Sequence, residues 1–341
     1  MGLFDFLKEL FSSPVQRKGS DSPPHAQKPK RSDAPTLRPG LPPLPDPASL
    51  AAFLGVTPGK LKWLINEEHE HYHPKEIKKR SGAARRLLAP KKTLKEAQRT
   101  VLKKILDLLP PTDPCHGFVR KRGIATNAAP HVGKEVVVHY DLRDFFPSIT
   151  RGRVYGIFHR VCGYPHDVAL TLAKLCTHKR RLPQGAPTSP ALANLVCRRL
   201  DARLAGLAKR FKAAYTRYAD DLTFSGGPDF ASSLRVVIPA IKMIVRGEHF
   251  RLAPEKFRVT RPGAAQIVTG LTVNEKVAVP RRKRRLLRAI VHNCRVKGPA
   301  GQNRMKAYNL KETLRGMIAH VRRFNPAAGT KLKAEFEQVC W

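Results

Sequence analysis

The sequence predicts an α+β fold, a small antiparallel sheet with helices packed against it, and three observations carry that expectation. Runs of β-forming residues are few and short, at 134–141, 213–218, 222–225 and about 266–273. Amphipathic patterns of helical period fill much of the remainder. The chain has 341 residues, enough to bury a sizeable core in one large unit with an appendage.

Taken in order, residues 1–11 place Leu3, Phe4, Phe6, Leu7, Leu10 and Phe11 at helix-like spacing, and a helix that short is marginal alone. Residues 12–48 hold ten prolines among Ser, Lys and Asp, which reads as a flexible, extended extension. A helical pattern runs from Pro47 to Leu64. Another covers 91–109, with Leu94, Ala97, Val101, Leu102, Ile105 and Leu108 on one face and Pro110-Pro111 ending it. Further helical patterns lie at 152–162, 166–177, 231–246, 284–294 and 308–323. No internal repeat is visible.

Lys and Arg number 64 against 26 Asp and Glu, a net charge of +38. That imbalance suits a protein that holds polyphosphate backbones. An anionic membrane is the competing partner, but no run of about 18 apolar residues exists, so no membrane is expected. The six cysteines are scattered without a CxxC pair and read as buried small hydrophobes in a reducing cytoplasm. Met1-Gly2-Leu3-Phe4-Asp5 lacks the basic start and cleavage site of a secretory signal.

Three elements carry chemistry. Tyr218-Ala219-Asp220-Asp221 lies between two short β-forming runs and reads as a hairpin tip bearing two adjacent carboxylates. Like charges there repel, and a hard divalent cation such as Mg²⁺ resolves the repulsion. Upstream, the apolar run Glu135–Tyr140 ends in Asp141. A carboxylate at a strand end beside an acidic doublet is the minimum for holding two metal ions roughly 3.5–4 Å apart. The third element is Gln184-Gly185-Ala186-Pro187-Thr188-Ser189-Pro190, followed by Leu192, Leu195, Val196, Leu200 and Leu204 at helical spacing. Ser189 is expected as N-cap and Pro190 at the first helical position. A glycine before a helix lets backbone approach a phosphate closely.

In this order, Asp141-Leu142-Arg143-Asp144-Phe145-Phe146-Pro147-Ser148-Ile149, Gln184–Pro190 and Tyr218–Asp221 resemble the signature motifs of reverse transcriptases. Lys78-Lys79-Arg80 through Ala89-Pro90 is similar to that family's fingers. Two further matches resemble retron reverse transcriptases: Asn127-Ala128-Ala129-Pro130-His131 fits an NAxxH motif and Val268-Thr269-Gly270 a VTG motif. His116-Gly117-Phe118 and Gly316–Trp341 are also retron-like, and the similarity runs from about Leu50 to Trp341. One departure lies at 253–257, where Lys256 alone matches an N-x-x-K-T element, Ala253 and Phe257 replacing its Asn and Thr.

The resemblance implies a right-hand polymerase: a flexible extension over 1–48, fingers over 49–133, a palm over 134–275 interleaved with a fingers part at about 150–185, and an RNA-binding thumb over 276–341. Asp141, Asp220 and Asp221 would hold Mg²⁺ and be catalytic. Arg85, Lys79, Asp144, Phe146, Gln184, Gly185 and Lys256 would bind the incoming dNTP, Phe146 as a steric gate against a ribose 2′-OH and Phe145 toward the core. Asn127, His131, Val268, Thr269 and Gly270 would bind RNA. Arg281, Arg282, Arg284 and Arg285, within six basic residues in eight, would grip an RNA stem by its backbone. The implied activity is copying a structured non-coding RNA into branched DNA from a guanosine 2′-OH, in anti-phage defence with a separate effector protein. The alternatives are another stand-alone bacterial or group II intron-like reverse transcriptase, although no maturase or endonuclease segment follows the thumb, and a non-catalytic RNA-binding scaffold. Pro190 speaks against the diversity-generating enzymes.

Overall fold

The computed structural model describes residues 36–67, 70–78 and 84–341, without the side chains of 78 and 84–86. The helix expected over 1–11, most of the proline-rich extension and Lys79 lie outside the described residues. The chain divides into two compact units. The first comprises the residues up to Thr112 with Leu142–Leu204 and Ser233–Leu252, and the second Asp113–Asp141, Ala205–Ser232 and Ala253–Trp341.

In the first unit the end of the proline-rich stretch is not a free linker. Leu41 and Leu44 are buried, Arg38 N donates to Cys162 O (2.8 Å), and the Tyr164 hydroxyl donates to Pro42 O (3.2 Å). The pattern expected as one helix from Pro47 to Leu64 is two, Pro47–Leu54 and Pro58–Asn66. Asp46 and Ser49 form a capping box at the first, Gly55 ends it at φ 70°, and Thr57 caps the second. Each buries two leucines, worth roughly 1.5–3 kcal/mol apiece.

A hairpin follows that the sequence did not announce, β1 (Tyr72–Lys78) with β2 (Ala84–Pro90), in register from Tyr72↔Pro90 to Lys78↔Ala84. Its composition is basic with Pro74 inside, a loop-like pattern. Pro74 is tolerated because the hairpin is a two-stranded edge structure. The helix Lys92–Lys104 packs Leu94, Ala97 and Val101 inward, and the Gln98 amide donates to Tyr72 Oη (3.0 Å) and Leu175 O (2.9 Å). The helix expected from Ser189 onward is broken at Cys197 into Ser189–Val196 and Arg198–Arg210. Thr188, not Ser189, is the N-cap; the Ser189 hydroxyl instead donates to Pro183 O (2.6 Å). Buried Glu248 is neutralised by Arg203 (2.7 Å) and Arg199 (3.1 Å).

The second unit is built on a four-stranded antiparallel sheet of order β4-β5-β3-β6: β3 (Val136–Asp141), β4 (Ala214–Tyr218), β5 (Asp221–Gly226) and β6 (Arg258–Thr260). β3 lies inside the sheet and both of its faces are covered, so Val136, Val137 and Val138 form a continuous buried run rather than an alternating one. The strand expected at 266–273 is a small hairpin, β7 (Ile267–Val268) with β8 (Leu271–Thr272), turning at Thr269-Gly270 with both φ positive. The C-terminal part of the unit is helical, Arg281–Lys297, Leu310–Phe324 and Pro326–Glu337. The third was not expected, because Gly329 in its first turn weakens the helical signal. One core joins these helices to the sheet through Val137, Val268, Leu287, Val291, Leu314 and Leu332.

Among the described residues the cysteines are unbridged, with Cys340 exposed and the others buried. No helix among them is long and apolar enough to cross a membrane.

Candidate active site

The register of the second unit's sheet brings the acidic residues together. Asp141, the last residue of β3, lies opposite Asp221, the first of β5, and Asp221 also pairs with Tyr218 on β4. Directly opposed residues on antiparallel strands share a face, with Cβ atoms roughly 4.5–5.5 Å apart. Asp220 occupies the two-residue tip between β4 and β5 beside Ala219, whose φ of 57° is rare for a residue with a Cβ. Burial raises the Asp220 carboxyl above the ordinary range, and the negative charge of Asp141 adds to the effect. Lys256 opposes that shift, and its Nζ stands 2.6 Å from Asp141 Oδ1. His139 Nδ1 lies 3.9 Å from Asp221 Oδ1 and 3.3 Å from Thr223 Oγ1.

The tip is held from both sides. Residues 114–116 run parallel to β4: Arg217 N donates to Pro114 O (2.7 Å) and His116 N to Arg217 O (2.8 Å). The fully buried Arg217 guanidinium donates to Ala219 O (3.2 Å). Gly117 presses on the tip so closely that a Cβ there would stand 2.5 Å from Ala219 N. On the carboxylate face, buried His131 bridges the hairpin, Nδ1 to Ser225 Oγ at 2.6 Å and Nε2 to Thr216 Oγ1 at 2.8 Å. Its burial favours the neutral ring, in which one imidazole nitrogen donates and the other accepts. Burial lowers its pKa to about 3. Asn127 reaches Thr269, Nδ2 to Oγ1 at 3.4 Å, and the Thr269 hydroxyl donates to Ile124 O (3.2 Å). The NAxxH and VTG matches therefore touch one another although 142 positions apart.

This corrects one expectation. Asn127, His131 and Val268 are enclosed in the interior, at 1 %, 0 % and 0 % exposure, so they offer no surface to an RNA. They clamp the acidic hairpin and join it to β7–β8. Thr269 and Gly270 form the β7–β8 turn. Arg281, Arg282 and Arg285 are exposed on the helix Arg281–Lys297, while Arg284 Nε donates to Val279 O (3.1 Å).

The first unit holds the other expected residues. Asp144 has φ 47° and precedes the short helix Phe145–Ser148 without capping it by its side chain. Phe145 is buried against Phe250, and Phe146 is half-buried beside it, ring centres 5.2 Å apart. Gln184 O accepts from Leu88 N of β2 (2.8 Å), and Gly185, φ 123°, approaches Leu88 O so closely that a Cβ would stand 2.9 Å from it. Arg85 lies on the same strand, opposite Ile77.

Among the described residues no three acidic, His or Cys side chains close into a metal cage. Mg²⁺ is commonly held by one or two carboxylates together with substrate phosphates rather than by an all-protein shell. The donor chemistry fits it: three carboxylates within electrostatic reach, one of them resisting ionisation.

Residues 77–274 match the family model described as reverse transcriptase (RNA-dependent DNA polymerase). The fold is thus that of a polymerase that copies RNA into DNA, a class that uses divalent metal ions and an RNA template to make a DNA product. The Retron Mx65 reverse transcriptase of Myxococcus xanthus is 42% identical over 322 residues, covering 88% of this chain and 73% of the relative. The Retron Mx162 reverse transcriptase of the same organism is 39% identical over 336 residues (88% and 68%). The Retron Ec86 reverse transcriptase of Escherichia coli is 36% identical over 260 residues (74% and 79%). The chain belongs to the retron reverse transcriptases and is an RNA-directed DNA polymerase.

Sequence reading missed the residues that support the tip. Gly117 belongs to a retron-like motif, but nothing local shows that its missing Cβ makes room for Ala219. Arg217 had a signal, an arginine inside a β-forming run, which alternation places on the face opposite Asp221.

Proposed function

We propose that this enzyme copies part of a structured non-coding RNA into a DNA branched from that RNA, primed by the 2′-OH of a guanosine, and that the product serves anti-phage defence with a separate effector protein. Residues 49–133, with a part at about 150–185, serve as fingers, the rest of 134–275 as palm and 276–341 as an RNA-binding thumb. The observation that carries the catalytic part is the Asp141↔Asp221 register with Asp220 at the tip, three carboxylates gathered in a chain of net charge +38.

Asp141, Asp220 and Asp221 would hold Mg²⁺, which when bound lowers the pKa of the attacking hydroxyl and stabilises the leaving pyrophosphate. The chain's own residues do the rest. Arg217, Gly117 and His131 fix the tip so that the carboxylates need no rearrangement. Lys256 neutralises Asp141 in the free enzyme and offers its ammonium to a nucleotide phosphate. Arg85 and Lys79 take the triphosphate, guanidinium matching phosphate bidentately. Gln184 and Gly185 contact the nucleotide and template backbone, Asp144 lies beside the triphosphate, and Phe146 excludes a ribose 2′-OH. The exposed Arg281, Arg282 and Arg285, with Thr269 and Gly270, meet the RNA.

The test is the nucleic acid that co-purifies with the protein. The expected product is DNA joined to a short RNA through a 2′–5′ bond, so treatment with a debranching enzyme releases a linear DNA. Linear DNA with no RNA branch would contradict the priming reading while leaving the polymerase intact.

A further inference from the structure

The first unit carries a basic cleft that none of the roles above uses. Its volume is about 510 Å³, and its lining includes Thr150, Arg151, Tyr155, His166, Arg180 and Arg181, with no acidic side chain among the described residues that line it. The backbone at its rim is unusual. His178 and Arg181 pair across a two-residue turn whose residues, Lys179 and Arg180, both have positive φ, 48° and 59°. Such a turn favours Asn-Gly, because a Cβ is strained at both positions. Two long cations there are a poor choice for stability and a good one for projecting charge.

The cleft is also pre-organised. Arg151 Nε donates to Thr177 Oγ1 (2.8 Å) and its N–H to Arg180 O (2.9 Å), which ties one wall to the turn. Tyr155 is fixed by stacking on His159, centres 5.1 Å apart at 21°, and by its hydroxyl 3.0 Å from His166 Nδ1. An aromatic ring held beside three guanidinium groups is the combination that binds unpaired nucleotides, cations tracking phosphates and a ring offering a base a stacking face.

We propose that this cleft is a subsite for single-stranded nucleic acid, with phosphates at Arg151, Arg180 and Arg181 and a base against Tyr155. The proposal rests on the enzyme handling RNA and DNA, and a base inside a duplex has both faces stacked on its neighbours, leaving none for Tyr155. Template RNA and product DNA share this chemistry, and the two probes below separate them.

Twelve-nucleotide RNA and DNA oligomers of one sequence, carrying 4-thiouridine or 4-thiothymidine, are photo-crosslinked to the full-length protein and the modified peptides mapped. The expected result is crosslinking at Tyr155 or His166, and whichever oligomer crosslinks identifies the strand. In parallel, oligomer affinity is titrated against salt for the wild type and for Lys179→Gly with Arg180→Gly. The variant should melt higher, because the turn is relieved of strain. It should nevertheless bind the preferred oligomer several-fold more weakly, with the slope of log K against log salt reduced by about 0.7 for each phosphate no longer neutralised. An unchanged slope with no crosslink at Tyr155 or His166 would overturn the proposal. Extension of a primer on an RNA template with few unpaired nucleotides keeps the two readings apart. Normal extension with unchanged strand binding counts against the cleft alone, whereas no extension by the wild type counts against the polymerase reading.

Discussion

Asp220 shows how much chemistry one position can hold. Its carboxyl is raised because folding removes water and brings Asp141 near, so the folded chain resists ionising it and a divalent cation would reverse that preference. The carboxylates were legible in the sequence because an acidic doublet in so basic a chain needs a cause. Gly117 was not, since its role depends on a neighbour about a hundred residues away in the chain. A Cβ added there stands 2.5 Å from Ala219 N and must displace the tip. Gly117→Ala is therefore expected to lower the rate of DNA synthesis by about tenfold or more, since displacements of about 1 Å can cost a hundred-fold. The loss of stability should be modest, about 1–3 kcal/mol as for other overpacked sites. Primer extension beside thermal melting checks this, and a variant with wild-type rates would show that Gly117 does not position Asp220.

At the scale of elements, the acidic hairpin stands on a clamp built from distant segments. Strands β3, β4 and β5 were readable from β-forming runs, and the carboxylates at their ends from the motifs. The strand β6 and the β1–β2 hairpin were not, because β6 is very short, the hairpin is largely basic, and the pairing of both is fixed by partners rather than propensity. His131 matches a motif that implies RNA; its burial between Thr216 and Ser225 is a tertiary fact that the motif does not encode. That burial has a pH consequence. The folded state holds the imidazole neutral with a pKa of about 3, against 6.5 for the unfolded chain. The stabilisation is complete above pH 6.5 and is lost as pH falls toward 3, by up to about 1.4 kcal/mol per unit. His131→Gln should be less stable at pH 7 yet lose less stability between pH 6.5 and 4.5. Urea unfolding midpoints across that range test it, and parallel curves for the two proteins would contradict the clamp.

For the whole molecule, the charge of +38 was the most legible property and its placement the least. The basic run 281–288 stands out in the sequence, but only the helix geometry separates exposed Arg281, Arg282 and Arg285 from Arg284, which anchors the preceding turn. Replacing the exposed three with Ala should weaken binding of the cognate RNA and flatten its salt dependence by roughly 0.7–0.9 in slope per phosphate neutralised. Extension of a pre-annealed generic template and primer should change much less, and a parallel collapse of both would make these residues a general duplex clamp. The central claim is that RNA is held by basic surface while synthesis depends on the acidic hairpin, and one paired measurement tests it most directly. Asp220→Asn with Asp221→Asn is assayed for primer extension with Mg²⁺ and for RNA affinity in the same preparation. The expected result is a fall in synthesis of more than about a hundred-fold with RNA affinity retained. Synthesis near the wild-type rate would contradict the assignment of Asp220 and Asp221.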